Sequence, residues 1–222
     1  MLKSVRVWDL PTRVFHWALV TCVVCLFVTS QIGGDAMDWH FRFGYAVLSL
    51  LMFRIIWGLV GGRWSRFASF IYSPSTVLRY AKGQGLPEHS VGHNPLGAGS
   101  VFAMLLFLLV QVGTGLISDD EIAASGPLTR FVSAAVTSHA TTYHKDWGKV
   151  ILLILIALHI GAILFYLLKK KENLVRSMLL GDKLLTMQTL ESSRDDAASR
   201  VWAAVLLAAC AAAVTGMVRL AG

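Results

Sequence analysis

The stretch from Trp147 to Leu168, WGKVILLILIALHIGAILFYLL, decides the fold class. After Lys149 it holds no charge, and its only histidine is His159. As a helix, 22 residues reach about 33 Å, enough to cross a hydrocarbon core of about 30 Å. Four more stretches read the same way: about Val14 to Ile32, Phe41 to Val60 (interrupted by Arg54), Leu96 to Ile117, and Val201 to Val218. Across the 222 residues, hydrophobic residues make up 55% and charged residues 15%, and mean hydropathy is +0.62. Soluble domains carry about 25% charged residues, so a water-soluble enzyme and a disordered chain are both excluded. With 3 Cys there is no disulfide framework. The reading is an all-α integral membrane protein. Residues 1–180 form a four-helix bundle, 181–200 a cytoplasmic linker and 201–222 an additional transmembrane helix.

The net charge of +7 follows topology and gives no support to nucleic-acid binding. Lys3, Arg6 and Arg13 precede span one. Arg63, Arg66, Arg79 and Lys82 follow span two, and Lys169, Lys170, Lys171, Arg176, Lys183, Arg194 and Arg200 follow span four. The opposite loops carry Asp35, Asp38, Asp119, Asp120 and Glu121. The positive-inside rule then places the N-terminus in the cytoplasm and, after five spans, the C-terminus outside. Span one is read as retained, since no A-x-A cleavage site closes it. Ser73-Pro74 predicts a short helix to about Lys82, with Ser as N-cap and Pro at the first position. Gly126-Pro127 predicts a second short helix on the outer side. Leu128, Phe131, Val132, Ala135 and Val136 would form its apolar face, lying flat at the interface or covering a site.

Ionisable residues inside spans are costly and mark sites. His16 lies near the cytoplasmic end of span one, His40 at the outer start of span two, His144 at the outer start of span four, and His159 well inside it. On an ideal helix His144 and His159 are about 22 Å apart and offset by about 60°, so both face one bundle axis. His144 is then level with His40, and His159 with His16. Facing imidazole pairs suit haem iron or zinc. Zinc prefers three or four protein ligands, often with carboxylates, and spans one to four hold no Asp or Glu in their interiors. Haem takes four ligands from the porphyrin and needs only two from the protein. The pairs therefore read as axial ligands of two bis-His haems, His16 with His159 and His40 with His144. His139 is an alternative to His144. His89 and His93 read as loop residues that solvate or cap, with a haem propionate or a quinone as a second reading for His93.

Arg54 has two readings. It grips a haem propionate by a charge-assisted contact, or it snorkels to the cytoplasmic surface. Gly44, Gly113, Gly115, Gly148 and Gly161 permit close packing around a flat group or between helices. Cys22 and Cys25 lie mid-membrane and read as small apolar fillers. Trp17, Trp39, Trp57 and Trp147 read as interfacial anchors.

The run Val7-Trp8-Asp9-Leu10-Pro11-Thr12-Arg13-Val14-Phe15-His16-Trp17 resembles the opening of small membrane cytochromes b, the superfamily of bacterial cytochrome b561 and the nickel–iron hydrogenase cytochrome b subunit. His40 to Gly58, with Gly44, Arg54 and Trp57-Gly58, resembles its second helix; Gly92-His93-Asn94-Pro95-Leu96-Gly97 resembles the start of its third. His144 and His159 resemble the pair in its fourth, although their spacing of 15 departs from an expected value nearer 14. The resemblance covers roughly residues 5–180. It implies a four-helix bundle with two b haems and the pairing given above.

The function expected is transmembrane electron transfer between the quinone pool and a periplasmic redox partner, such as a c-type cytochrome, in the bacterial inner membrane. The acidic outer loops suit a Lys-rich partner. Rival readings are the membrane anchor of a hydrogenase or dehydrogenase, a superoxide:quinone oxidoreductase, and a haem-free, His-lined metal transporter.

Overall fold

A computed structural model describes residues 3–120, 124–185 and 191–221. Its helices are α1 (Leu10–Ile32), α2 (Ala36–Val60), α3 (Pro74–Ala81), α4 (Pro95–Leu116), α5 (Ala134–Thr142), α6 (Lys149–Phe165), α7 (Leu174–Leu180) and α8 (Ala197–Ala221). Short strands β1 (Lys3–Arg6) and β2 (Asp182–Leu185) complete the order. Five helical stretches are long and apolar enough to cross a membrane: α1, α2, α4, the continuous run Ala134–Lys170, and α8. The protein is an all-helical, multi-pass membrane protein. Val20, Val24 and Val28 of α1, like Leu153, Ile154 and Leu158 of α6, are exposed, as befits side chains whose solvent is lipid.

Two compact units divide the chain, one made of Met1–His16, Arg54–Ala103 and Ala157–Val205, the other of Trp17–Phe53, Met104–Ile156 and Leu206–Gly222.

The first unit is organised around Asp9. This fully buried residue is the N-cap of α1: its Oδ1 accepts the Thr12 N–H at 2.9 Å. Its Oδ2 accepts the Gly62 N–H at 3.1 Å, the Ser65 hydroxyl at 3.0 Å and the Trp57 indole N–H at 3.2 Å. A Cβ at residue 62 would run into that carboxylate, so glycine is required there. One side chain thus fixes the start of α1, the last turn of α2 and the loop after it. The Leu10 N–H finds its acceptor in Asp195 at 3.0 Å.

Where the sequence reading has a plain tail and a linker, the structure has an antiparallel ribbon, Lys3 opposite Leu185 and Arg6 opposite Asp182. Arg6 pairs with Asp182 at 2.7 Å and Asp195 at 3.1 Å, and Asp195 also meets Arg200. Ser193 donates its N–H to the Arg6 carbonyl and its hydroxyl to the Val7 carbonyl. Val5, Val7, Trp8 and Val91 form the small core beneath, with Trp64, Met178 and Leu185 against it. Residues 186–190 of the expected linker lie outside the described part.

The second unit has a dry core of Val47, Leu51, Leu108, Val112 and Leu152. Cys22 packs against it with Leu19, Val23 and Leu26, as a small apolar filler. The helix expected to open at Gly126-Pro127 begins later. Ser133 is the cap, accepting from the Val136 N–H, and the helix runs without a break through span four. No Gly or Pro stands between Ala134 and Trp147 to stop it. In the first unit α3 forms where predicted, with Ser73 accepting from the Thr76 N–H at 3.2 Å.

Candidate functional site

The first unit brings the His16 and His159 rings opposite each other, with centres 6.4 Å apart and planes tilted at 51°. His16 lies on α1, two turns after the Asp9 cap, so the cap positions it. In the second unit His40 of α2 and His144 face each other at 6.2 Å and 86°. Two metal–imidazole bonds of about 2.0 Å, plus about 1.1 Å from each nitrogen to its ring centre, sum to about 6.2 Å. Each centre-to-centre distance matches the span of two imidazoles that would share one metal ion.

Backbone carbonyls orient the second pair. His40 Nδ1 lies 3.1 Å from the Leu26 carbonyl and 3.3 Å from the Thr29 hydroxyl. His144 Nδ1 lies 2.8 Å from the Gln111 carbonyl. A carbonyl only accepts, so each Nδ1 carries the hydrogen and each Nε2 keeps its lone pair. This is the arrangement by which proteins orient metal-binding histidines. Gln111 returns a bond from its side-chain N–H to the His144 carbonyl at 2.9 Å.

Glycines make room. A Cβ at residue 115 would stand 2.7 Å from the His144 ring, so Gly115 is the floor under that imidazole. At Gly44, one turn after His40, a Cβ would meet nothing within 4 Å. Gly44 and Gly115 line a cavity of about 510 Å³ together with His40, Tyr45, Gln111 and His144. That volume is in the range of small-molecule and cofactor sites. We predict that Gly115→Ala pushes His144 off its position and costs the protein the cofactor of this pair alone. Cofactor content and absorption spectrum check this, and a variant indistinguishable from the parent would contradict it.

His144 sits in a π-helical segment, Tyr143–Gly148. Bonds from i to i+5 take up one extra residue per turn, and such single turns recur at functional sites. The spacing of 15 in the sequence therefore has the helical phase of 14. His139, the alternative on α5, is exposed.

Arg54 is only 3% exposed, so it does not snorkel. Its guanidinium stacks over the Phe67 ring at 4.7 Å, and its Nη1 has no hydrogen-bond partner among the described residues. His93 is clamped between Trp8 at 4.6 Å and Phe70 at 4.4 Å. Burial pushes its imidazole down to about 3, with the Arg54 charge next in effect, so it is neutral. His89 accepts the Leu86 N–H and serves as a loop cap, as expected. The sequence reading assigned no role to Asp9, Gln111 or the carbonyl of Leu26. Asp9 had a visible signal, an N-cap residue two before a Pro at the head of an apolar run; a carbonyl has none.

Among the described residues, no three of His, Cys, Asp and Glu converge on a metal site. Two imidazoles per site suit a metal that brings its own equatorial ligands. The prokaryotic cytochrome b561 family matches residues 7–181. The chain belongs to that family. That family is one of membrane b-type cytochromes, and the cofactor it implies is haem b.

Three relatives of this cytochrome carry the description probable Ni/Fe-hydrogenase B-type cytochrome subunit. That of Bradyrhizobium diazoefficiens is 26% identical, over 81% of this chain and 86% of its own. That of Rhodobacter capsulatus is 27% identical, over 85% and 84%. The Ni/Fe-hydrogenase 1 subunit of Escherichia coli K12 is 27% identical over 49% of this chain; the match spans 57% of that protein, little more than half its length. No solved structure matches.

Proposed function

We propose that this cytochrome moves electrons across the bacterial inner membrane through two b haems, between the quinone pool and a redox partner on the periplasmic side. The observation that carries the reading is the two imidazole pairs, at 6.4 Å and 6.2 Å, each the width of one bis-His iron. His16 and His159 hold the cytoplasmic-side haem; His40 and His144 hold the outer one. Arg54 meets a propionate of the first. Bound haem supplies the reversible one-electron couple of its iron.

The chain's own residues do the rest. Leu26 and Gln111 carbonyls fix the tautomer of the outer pair. The apolar core of Val47, Leu51 and Val112 excludes water, so charge crosses the membrane without moving a charged side chain. Histidines holding each iron from both sides would leave no place for oxygen, which favours a carrier over oxygen activation.

Lys and Arg clustering on the loops after spans two and four favours a cytoplasmic N-terminus and a periplasmic C-terminus. Asp35, Asp38, Asp119 and Asp120 then face the periplasm and suit a basic partner such as a c-type cytochrome; Glu121 of the same loop lies outside the described residues. A second reading, the membrane subunit of a hydrogenase, is favoured by what its relatives are called. A hydrogenase gene beside the one for this chain would support it.

The test is reduction by quinol. In lipid vesicles, a ubiquinol- or menaquinol-type quinol should reduce the haem to the sharp α band of a b-type cytochrome. A protein that dithionite reduces and no quinol does would contradict the quinone assignment.

A further inference from the structure

Among the buried side-chain nitrogens of the first unit, two share one aromatic nest. Arg54 Nη1 and His93 Nδ1 are both shut off from solvent and have no hydrogen-bond partner among the described residues. Leaving such a donor unmet costs about 1–3 kcal/mol, more when it is charged, and buried polar groups are almost always satisfied. The nearby carboxylate is Asp9, but its oxygens are already engaged by Thr12, Trp57, Gly62 and Ser65. The two orphaned groups belong to one aromatic nest. Arg54 lies over Phe67, Phe67 contacts Phe70 at 5.9 Å, and Phe70 contacts His93 at 4.4 Å. His93 is also within electrostatic reach of Arg54, His16 and His159, so the nest lies near the inner imidazole pair.

A guanidinium and a neutral imidazole N–H, both dry and both held by aromatic rings, call for an acceptor that carries negative charge and enters with the cofactor. We propose that His93 and Arg54 together receive the propionate carboxylates of the inner haem, His93 being a positioning residue and not an iron ligand. Arg54 supplies the charge. His93 supplies a neutral donor whose direction is set by the Trp8 and Phe70 rings. The pair thereby selects which edge of the macrocycle enters first. This rests on the reading of His16 and His159 as the inner haem ligands.

The experiment compares haem with its dimethyl ester, which keeps the iron and the ring and loses the carboxylate charge. The full-length chain, carrying His144→Ala so that only the inner pair takes up haem, is stripped of cofactor and titrated with each. Haem should bind at least about tenfold more tightly than the ester, the scale of a charged hydrogen bond. Arg54→Gln and His93→Leu should each reduce that ratio, and together bring it near one, with ester affinity unchanged. Equal binding of acid and ester by the chain with Arg54 and His93 intact would overturn the inference, as would a preference that survives the double replacement. If neither compound binds, the inner pair is not a haem site, and the parent reading falls with it.

Discussion

Replacing His144 by alanine should leave the cytochrome with one haem instead of two, and the survivor should be the one on His16 and His159. His40 and His144 stand alone as a pair, and no third His, Cys, Asp or Glu converges there among the described residues, so nothing would replace a lost ligand. The two pairs lie in different compact units, so removing one leaves the contacts around the other in place. His40→Ala should behave the same way, and His16→Ala or His159→Ala should give the converse. His139→Ala should keep both haems, because His139 is exposed on α5 while His144 stands against His40. Haem per chain by pyridine haemochrome checks each variant. Equal loss of both haems in all four ligand variants would mean general misfolding, and loss of one haem in His139→Ala would move the outer ligand.

The second large effect is expected away from the irons. Asp9→Ala removes the N-cap of α1 and strands the Trp57 indole N–H, the Gly62 N–H and the Ser65 hydroxyl in a buried site. It also removes the negative charge nearest to buried Arg54. Each buried donor left unmet costs about 1–3 kcal/mol, and a lost cap about 1 kcal/mol. The variant should therefore lose its inner haem at a much lower denaturant concentration or temperature than the parent. His16 is positioned by the same helix start, so the inner haem should go before the outer one. Asp9→Asn keeps one acceptor oxygen and should lie between the two. An Asp9→Ala protein within about 1 kcal/mol of the parent would show that this network does not hold the unit together.

Much of this molecule can be read from its sequence, for a physical reason. Lipid demands long uncharged helices, so the five spans stand out by composition alone. It also makes polar residues expensive, so His16, His40, Arg54, His144 and His159 announce themselves. The β1–β2 ribbon was not legible: its strands have four residues each and pair across nearly the whole chain, and so short a run has no period to detect. The late start of α5 was missed because Gly126-Pro127 is a plausible helix opening, while Ser133 is the stronger cap. The π segment at Tyr143–Gly148 leaves no trace in composition, and it hid in an apparently irregular spacing. The carbonyls of Leu26 and Gln111 that orient the outer histidines belong to the backbone, which every sequence shares.

The most direct test of the account is haem counting on the unmodified protein, paired with a redox titration. Two haems per chain, titrating as two b-type one-electron components, is the predicted result. A single component with one haem, or a colourless protein that instead takes up zinc, would contradict it.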